Sequence, residues 1–193
     1  MPNLNANEIV VGSNGQINVA PVGTTLPAVN SDPTATLNSG FGYGLGYVTE
    51  DGVQISYSPE FEEIMAWQSP DAVRRDRTGR EFTLSFELQQ WNEQTVVLAF
   101  GGGQITTAGG FYTYQPPNTT DAIVERSLVL DWNDGSKRYR LVVPRGSVTD
   151  GTETQLQRGQ EATLAVTFKA MQPTDGRDLF YLITNDSAWA VGS

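Results

Sequence analysis

Between positions 81 and 89 the chain alternates strictly. Phe82, Leu84, Phe86 and Leu88 are large and apolar, while Glu81, Thr83, Ser85, Glu87 and Gln89 are polar. Successive side chains of a strand leave opposite faces of a sheet. The pattern therefore predicts a strand that is greasy on one side and wet on the other. Burying the four apolar side chains contributes about 1.5–3 kcal/mol each. VQISYS (53–58) has the same period, with Gln54, Ser56 and Ser58 on its polar side. The two strands are expected to share one sheet.

The rest of the pattern is mostly β as well. ERSLVLDW (125–132) and KRYRLVV (137–143) flank Asn133-Asp134-Gly135-Ser136, a strong hairpin signal. In that hairpin Leu128, Leu130 and Trp132 face Tyr139, Leu141 and Val143. EATLAVTFKA (161–170) sends Leu164, Val166 and Phe168 inward, and DLFYLIT (178–184) predicts a last strand. Residues 91–100 predict the one helix. Asn92 caps it, Glu93 suits its first turn, and Gly101-Gly102-Gly103 ends it. Its residues Trp91, Val97, Leu98 and Phe100 are expected to cover the greasy face. The expectation is a mainly β chain: one β-sandwich or barrel-like domain with a flanking helix.

Two stretches lack this clear periodicity. Residues 1–46, rich in Asn, Gly, Thr, Pro and Ala, predict an extended N-terminal arm, with short strand-like pieces at 9–12 and 17–23. Within it, 41–48 interleaves aromatics with glycines, which suits either close backbone approach or a flexible entry to the core. Residues 59–80 predict a long loop, in which 61–67 would form one or two helical turns between Pro59 and Pro70. Loops beyond about 12–15 residues are uncommon in compact domains unless they serve a function. The expected layout is thus arm 1–46, β domain 47–186 and a short tail 187–193.

Charge gives that loop a character. No Lys or Arg precedes Arg74, and then Arg74, Arg75, Arg77 and Arg80 follow closely. Glu60, Glu62 and Glu63 stand on the loop's first limb. A surface carrying both signs suits a second copy of itself, because complementary charge fixes register. Head-to-tail contacts that do not close make filaments. Met65 and Trp67 supply candidate contact residues, since interface anchors are often aromatic. A loop Trp folded back on its own domain is the competing expectation.

Composition narrows the chemistry. The 193 residues contain neither Cys nor His, so disulfides, thiolate chemistry and the commonest base and zinc ligand are all absent. A net charge of −10 argues against gripping nucleic-acid backbone. No apolar run reaches the roughly 18–20 residues of a membrane helix. No signal-peptide pattern opens the sequence, and the lack of Cys fits an intracellular origin. Gly101-Gly102-Gly103 lacks the GK[ST] of a phosphate loop, and the pairs Glu50-Asp51 and Glu62-Glu63 are better taken as solvated surface than as catalytic carboxylates. Asp131, Asp134 and Asp150 do not follow calcium-loop spacing. The expectation is a non-enzymatic protein with no cofactor, metal or catalytic residue.

The order of these features resembles the major tail tube protein of long, non-contractile-tailed bacteriophages. The likeness is carried by VAPVGTTLP (19–27), GYVTEDGVQISYSPEFEEIMAWQS (46–69), REFTLSFELQQWNEQTVVLAFGGG (80–103) and ERSLVLDWNDGSKRYRLVVPRGSV (125–148), and by 161–170 and YLITND (181–186). The resemblance implies a virion protein, assembled in the host bacterial cytoplasm. It implies hexameric rings whose inner sheets join into one barrel, stacked into a tube around a tape-measure protein. Tail-terminator and tail-tip proteins would cap the tube, and DNA would pass through it. It places Glu60, Glu62, Glu63, Met65, Trp67, Arg74, Arg75, Arg77 and Arg80 at the seam between rings. Gln54, Ser56, Ser58, Glu81, Thr83, Ser85, Glu87 and Gln89 would line the lumen, where a lack of free cations lets DNA slide. Lys169 departs from that rule: either it meets a Glu across the sheet or its strand lies in the outer sheet. The alternatives are a head-tail joining or tail-terminator ring protein, and a carbohydrate-binding β-sandwich using Tyr112 and Tyr114.

Overall fold

The computed structural model describes residues 4–42 and 44–190. Residues 1–3 of the expected arm, Tyr43 of the aromatic–glycine stretch and residues 191–193 of the expected tail lie outside it. Among the described residues, nine strands and one α-helix follow in order: β1 (Asn14–Pro21), β2 (Val48–Ala66), β3 (Ser69–Leu88), α1 (Glu93–Ala99), β4 (Gln104–Ala108), β5 (Phe111–Gln115), β6 (Arg126–Asp134), β7 (Lys137–Val148), β8 (Leu164–Ala170) and β9 (Tyr181–Thr184).

The main sheet runs β1-β6-β7-β8-β3-β2, all antiparallel, and β9 pairs with β7. β7 makes this one path into two layers. Its first part pairs with β6 and β9, and its end, Gly146 to Val148, pairs with β8. Gly146 is the corner, opposite Arg126 of β6 and Ala170 of β8. The layers enclose a core of Ile17, Leu128, Leu130, Leu141 and Val143 against Phe82, Leu84, Phe86, Leu88, Leu164, Val166 and Phe168. The result is a sandwich-like domain and not a closed barrel, because β1 and β2 remain the two ends of the path.

The outer faces of the two layers differ. Behind β6 and β7, Val129 and Val142 pack with Phe41 and Ile183, and residues Leu26 and Leu37 cover them. Arg140, almost fully buried, holds this cover down. It forms a double ion pair with Asp131 (2.6 and 3.0 Å) and donates to the Ala35 carbonyl at 2.8 Å. Much of the stretch expected to be an extended arm packs on the domain in this way, and β1 is a strand of the sheet. Outside β8, β3 and β2 no such cover lies among the described residues, and that face stays polar.

The helix is Glu93–Ala99. Asn92 accepts from the backbone N–H of Gln94 and Thr95, and Thr95 Oγ1 accepts from Asn92 N–H in return. Leu98 is buried and Val96 packs on the core, whereas Trp91 and Phe100 stay half-exposed. Trp91 instead donates to the Ala162 carbonyl at 2.8 Å. Those two aromatics flank the helix ends, so the helical stripe does not carry them inward.

The largest difference from expectation is at 59–80. This segment is not a loop and has no helical turn. β2 and β3 continue through it as one long antiparallel hairpin that reverses at Trp67-Gln68. Tight register and strong alternation near 53–58 propagate outward, and irregularities at Thr78, at Val73 and at Pro70-Asp71 absorb the extra residues.

The β6–β7 turn ties both ends of the chain to the domain. Lys137 pairs with the buried Asp186 at 2.9 Å and also donates to the Asn7 carbonyl, while Tyr139 Oη donates to Asp186 at 2.7 Å. Those hydrogen bonds hold the Asp186 carboxyl down at about 2, and burial together with Asp186 pushes Tyr139 up to about 12.

Two tests follow from this packing. A Cβ on Gly146 would sit 2.5 Å from the Phe168 ring and 2.6 Å from the Lys169 carbonyl oxygen. Gly146→Ala should lower unfolding stability in urea by about 1–3 kcal/mol. Asp186 has a folded pKa below its unfolded one, so its stabilisation is full above the unfolded value and disappears as pH falls toward about 2. The stability gap between wild type and Asp186→Asn should hold at neutral pH and shrink steadily below pH ~4.

Candidate assembly surfaces

Two surfaces emerge from the β2–β3 pair. The first is the uncovered polar face. Register places Gln54, Ser56 and Ser58 of β2 opposite Ser85, Thr83 and Glu81 of β3. Thr83, Ser85 and Glu87 in turn lie opposite Lys169, Thr167 and Ala165 of β8. Seven of the eight residues expected to share a wet face therefore do so within the strands. Gln89 lies one residue past β3 and donates to Glu161 at 3.2 Å. Glu87 accepts from Thr163 at 3.0 Å. Lys169 belongs to this same sheet and pairs with Glu81 at 2.7 Å, so the first of its two expected placements is the observed one. Its ammonium holds the Glu81 carboxyl below the usual range by hydrogen bond and charge. The cation on this face is thus matched by a neighbouring carboxylate.

The second surface is the outer part of the hairpin, beyond Ser58 and Glu81. Acidic and basic limbs are neighbouring strands here, in register with each other: Glu62 faces Asp76, Glu63 faces Arg75, and Ile64 faces Arg74. Some charge is consequently satisfied within the chain. Arg75 pairs with Glu63, and Arg74 pairs with Asp76 at 2.7 Å. The bulge at Thr78 shifts the alternation of β3 and sorts the rest by face. Phe61, Glu63 and Met65 share one face with Arg75, Arg77 and Arg80, and both Arg75 and Arg77 lie 5.8 Å from the Phe61 ring. Glu60, Glu62 and Ile64 share the other with Arg74 and Asp76. The first face has three arginines against one glutamate, and the second has three carboxylates against one arginine. Charge is separated between faces of the arm, which a reading by limbs does not reveal.

Trp67 sits at the tip, 99% exposed, with Met65 and Ile64 exposed beside it. It does not fold back on its own domain. A two-stranded ribbon lacks a third strand or a packed face and is marginal alone in water.

A model of the phage tail tube protein family matches residues 2–192. The chain belongs to the phage tail tube protein family. This tail tube subunit is a structural component of the virion, and it associates with copies of itself and with other tail components. Family members are structural proteins and not, as a rule, enzymes. No curated protein matches the chain. Among solved structures, a chain of the virion of a native gene transfer agent particle aligns with a TM-score of 0.47 at 11% identity, over 91% of this chain and 99% of that one.

The subunit also has a small second hairpin, β4–β5, turning at Gly109-Gly110. Sequence reasoning missed it, although Gly-Gly between ITTA and FYTY is a recognised hairpin signal. Phe111 and Tyr112 are exposed near its turn, while Tyr114 is engaged with Phe100 and donates to the Gly102 carbonyl at 2.8 Å.

Because the arm's charged groups and Trp67 are solvated in the monomer, removing them leaves its stability alone. Trp67→Ala, and the triple reversal of Arg74, Arg75 and Arg77 to Glu, should each change monomer unfolding by less than ~1 kcal/mol in thermal or urea denaturation.

Proposed function

We propose that the subunit closes into hexameric rings that stack into the tail tube, with the polar face of β2, β3 and β8 lining the lumen. The observation that carries this is the asymmetry between layers: one outer face is covered by the chain's own residues 22–41, and the other is left polar and uncovered. Ring closure removes the free strand edges that an open sheet presents. In the lumen, Gln54, Ser56, Ser58, Glu81, Thr83, Ser85, Glu87 and Gln89 give a wet wall in which Lys169 is held by Glu81. Unmatched Lys or Arg there would bind DNA phosphates by counterion release. DNA passes without a lasting grip. The tape-measure protein occupies the same lumen before ejection, and tail-terminator and tail-tip proteins close the two ends.

The β2–β3 arm is the contact between rings. Glu60, Glu62, Glu63, Met65, Trp67, Arg74, Arg75, Arg77 and Arg80 all lie on the part of the hairpin outside the sandwich. An exposed tryptophan on a ribbon with oppositely charged faces suits burial against a neighbour.

Negative-stain electron microscopy of purified protein should show tubes of stacked rings; isolated rings would favour a joining or terminator protein. The reversal of Arg74, Arg75 and Arg77 to Glu should leave rings but no stacks, and normal tubes would refute the arm's role. Glu87→Lys should permit assembly yet slow or stall DNA ejection, read as a loss of infectivity at constant particle number.

A further inference from the structure

A cleft of about 1090 Å³ opens between β1 and β2, the two ends of the strand path. Its lining includes apolar Ile17, Val53, Ile55 and Trp132, and Glu50 and Asp51 stand at its edge, in the irregular stretch of β2 between Val48 and Val53. Ile55 is half-exposed, although it belongs to the alternation that buries its partner strand. Thr49 Oγ1, also in the lining, is buried without a hydrogen-bond partner. The cleft is thus mixed inside, where Asp131, Asn133 and Arg138 stand beside these apolar groups, and it has an acidic edge at Glu50 and Asp51.

The hairpin arm is the complement. One of its faces carries Phe61 and Met65 with Arg75, Arg77 and Arg80, and Trp67 projects from its tip. The arm cannot serve its own cleft. β2 starts at the cleft and runs away from it, and the eight residues 59–66 carry the tip roughly 26 Å beyond the sandwich. We infer that the cleft between β1 and β2 receives the tip and arginine-bearing face of the β2–β3 hairpin of a second copy of this chain. This rests on the self-assembly reading above and names its acceptor. Trp67 and Met65 enter over Ile55 and Trp132, and Arg75 and Arg77 meet Glu50 and Asp51. A desolvated aromatic anchor within a charged rim is how tight interfaces are commonly built. Each subunit has one arm and one cleft at different places, so the contact is head-to-tail and propagates.

The natural absence of cysteine makes the test clean. Gln68→Cys, beside Trp67 in the turn of the arm, and Asp51→Cys chains, mixed, assembled and treated with a short bismaleimide, should give covalent dimers on denaturing gels. Gly110→Cys, at the turn of the β4–β5 hairpin, should give none with Asp51→Cys. Charge exchange is the second arm. Arg75→Glu with Arg77→Glu should cut polymer yield roughly tenfold or more, and adding Glu50→Arg with Asp51→Arg should restore it. Tubes that form without Gln68–Asp51 dimers overturn the acceptor site while leaving the tube reading intact. Cross-linking within one chain between Leu4→Cys and Asp51→Cys would place the chain's own N-terminal segment in the cleft and overturn the inference. Wild-type protein that never polymerises removes the tube reading and this contact together.

Discussion

The fold depends on one strand doing two jobs. β3 puts Phe82, Leu84, Phe86 and Leu88 into the core from one side and shows Glu81, Thr83, Ser85 and Glu87 on the other. It is hydrogen-bonded on both edges, to β2 and to β8. A one-residue slip in either pairing would exchange its faces and expose the core, so register is fixed by burial. The same register fixes which polar groups share the uncovered face. Core stability and the chemistry of the candidate lumen are therefore two consequences of one alternation.

The second layer shows what happens without that constraint. β6 and β7 are buried on both sides, so their sequences are almost continuously apolar near Val129 and Val142. Their outer cover comes from residues 22–41, which have little regular structure and are fixed by Phe41 and by the Arg140–Asp131 pair. A buried arginine is tolerated there because its charge is matched and a third hydrogen bond goes to the Ala35 carbonyl. Covering one layer and leaving the other bare gives the subunit an inside and an outside.

The hairpin arm inverts the usual balance. Within the sandwich, β2 and β3 are supported by β8 and the core. Beyond it they have only each other, three irregularities of register and scattered ion pairs on solvated side chains, which contribute little to stability. Selection for the monomer alone does not account for a fully exposed tryptophan or for the sorting of charge between two faces. Both make physical sense if the missing burial comes from another subunit, where an arm gains its third side.

The sequence alone determined the mainly β architecture, the β6–β7 hairpin, the Asn92-capped helix and the two-faced strand at 81–89. These follow from local rules of period, turn and cap, each written in a few adjacent residues. It also marked 59–80 as the unusual segment, from the crowding of Arg74, Arg75, Arg77 and Arg80 after a wholly arginine- and lysine-free start. What it could not give was the shape of that segment. Pro59, Pro70 and the charge runs resemble loop composition, whereas the pairing that makes it a hairpin lies between residues up to 21 positions apart, Pro59 with Arg80. Nor could it place Lys169 against Glu81, fold the stretch before Gly46 onto the domain, or sort the arm's charges by face. A single bulge at Thr78 shifts the alternation of one limb and decides that sorting, and a bulge exists only once two strands have met.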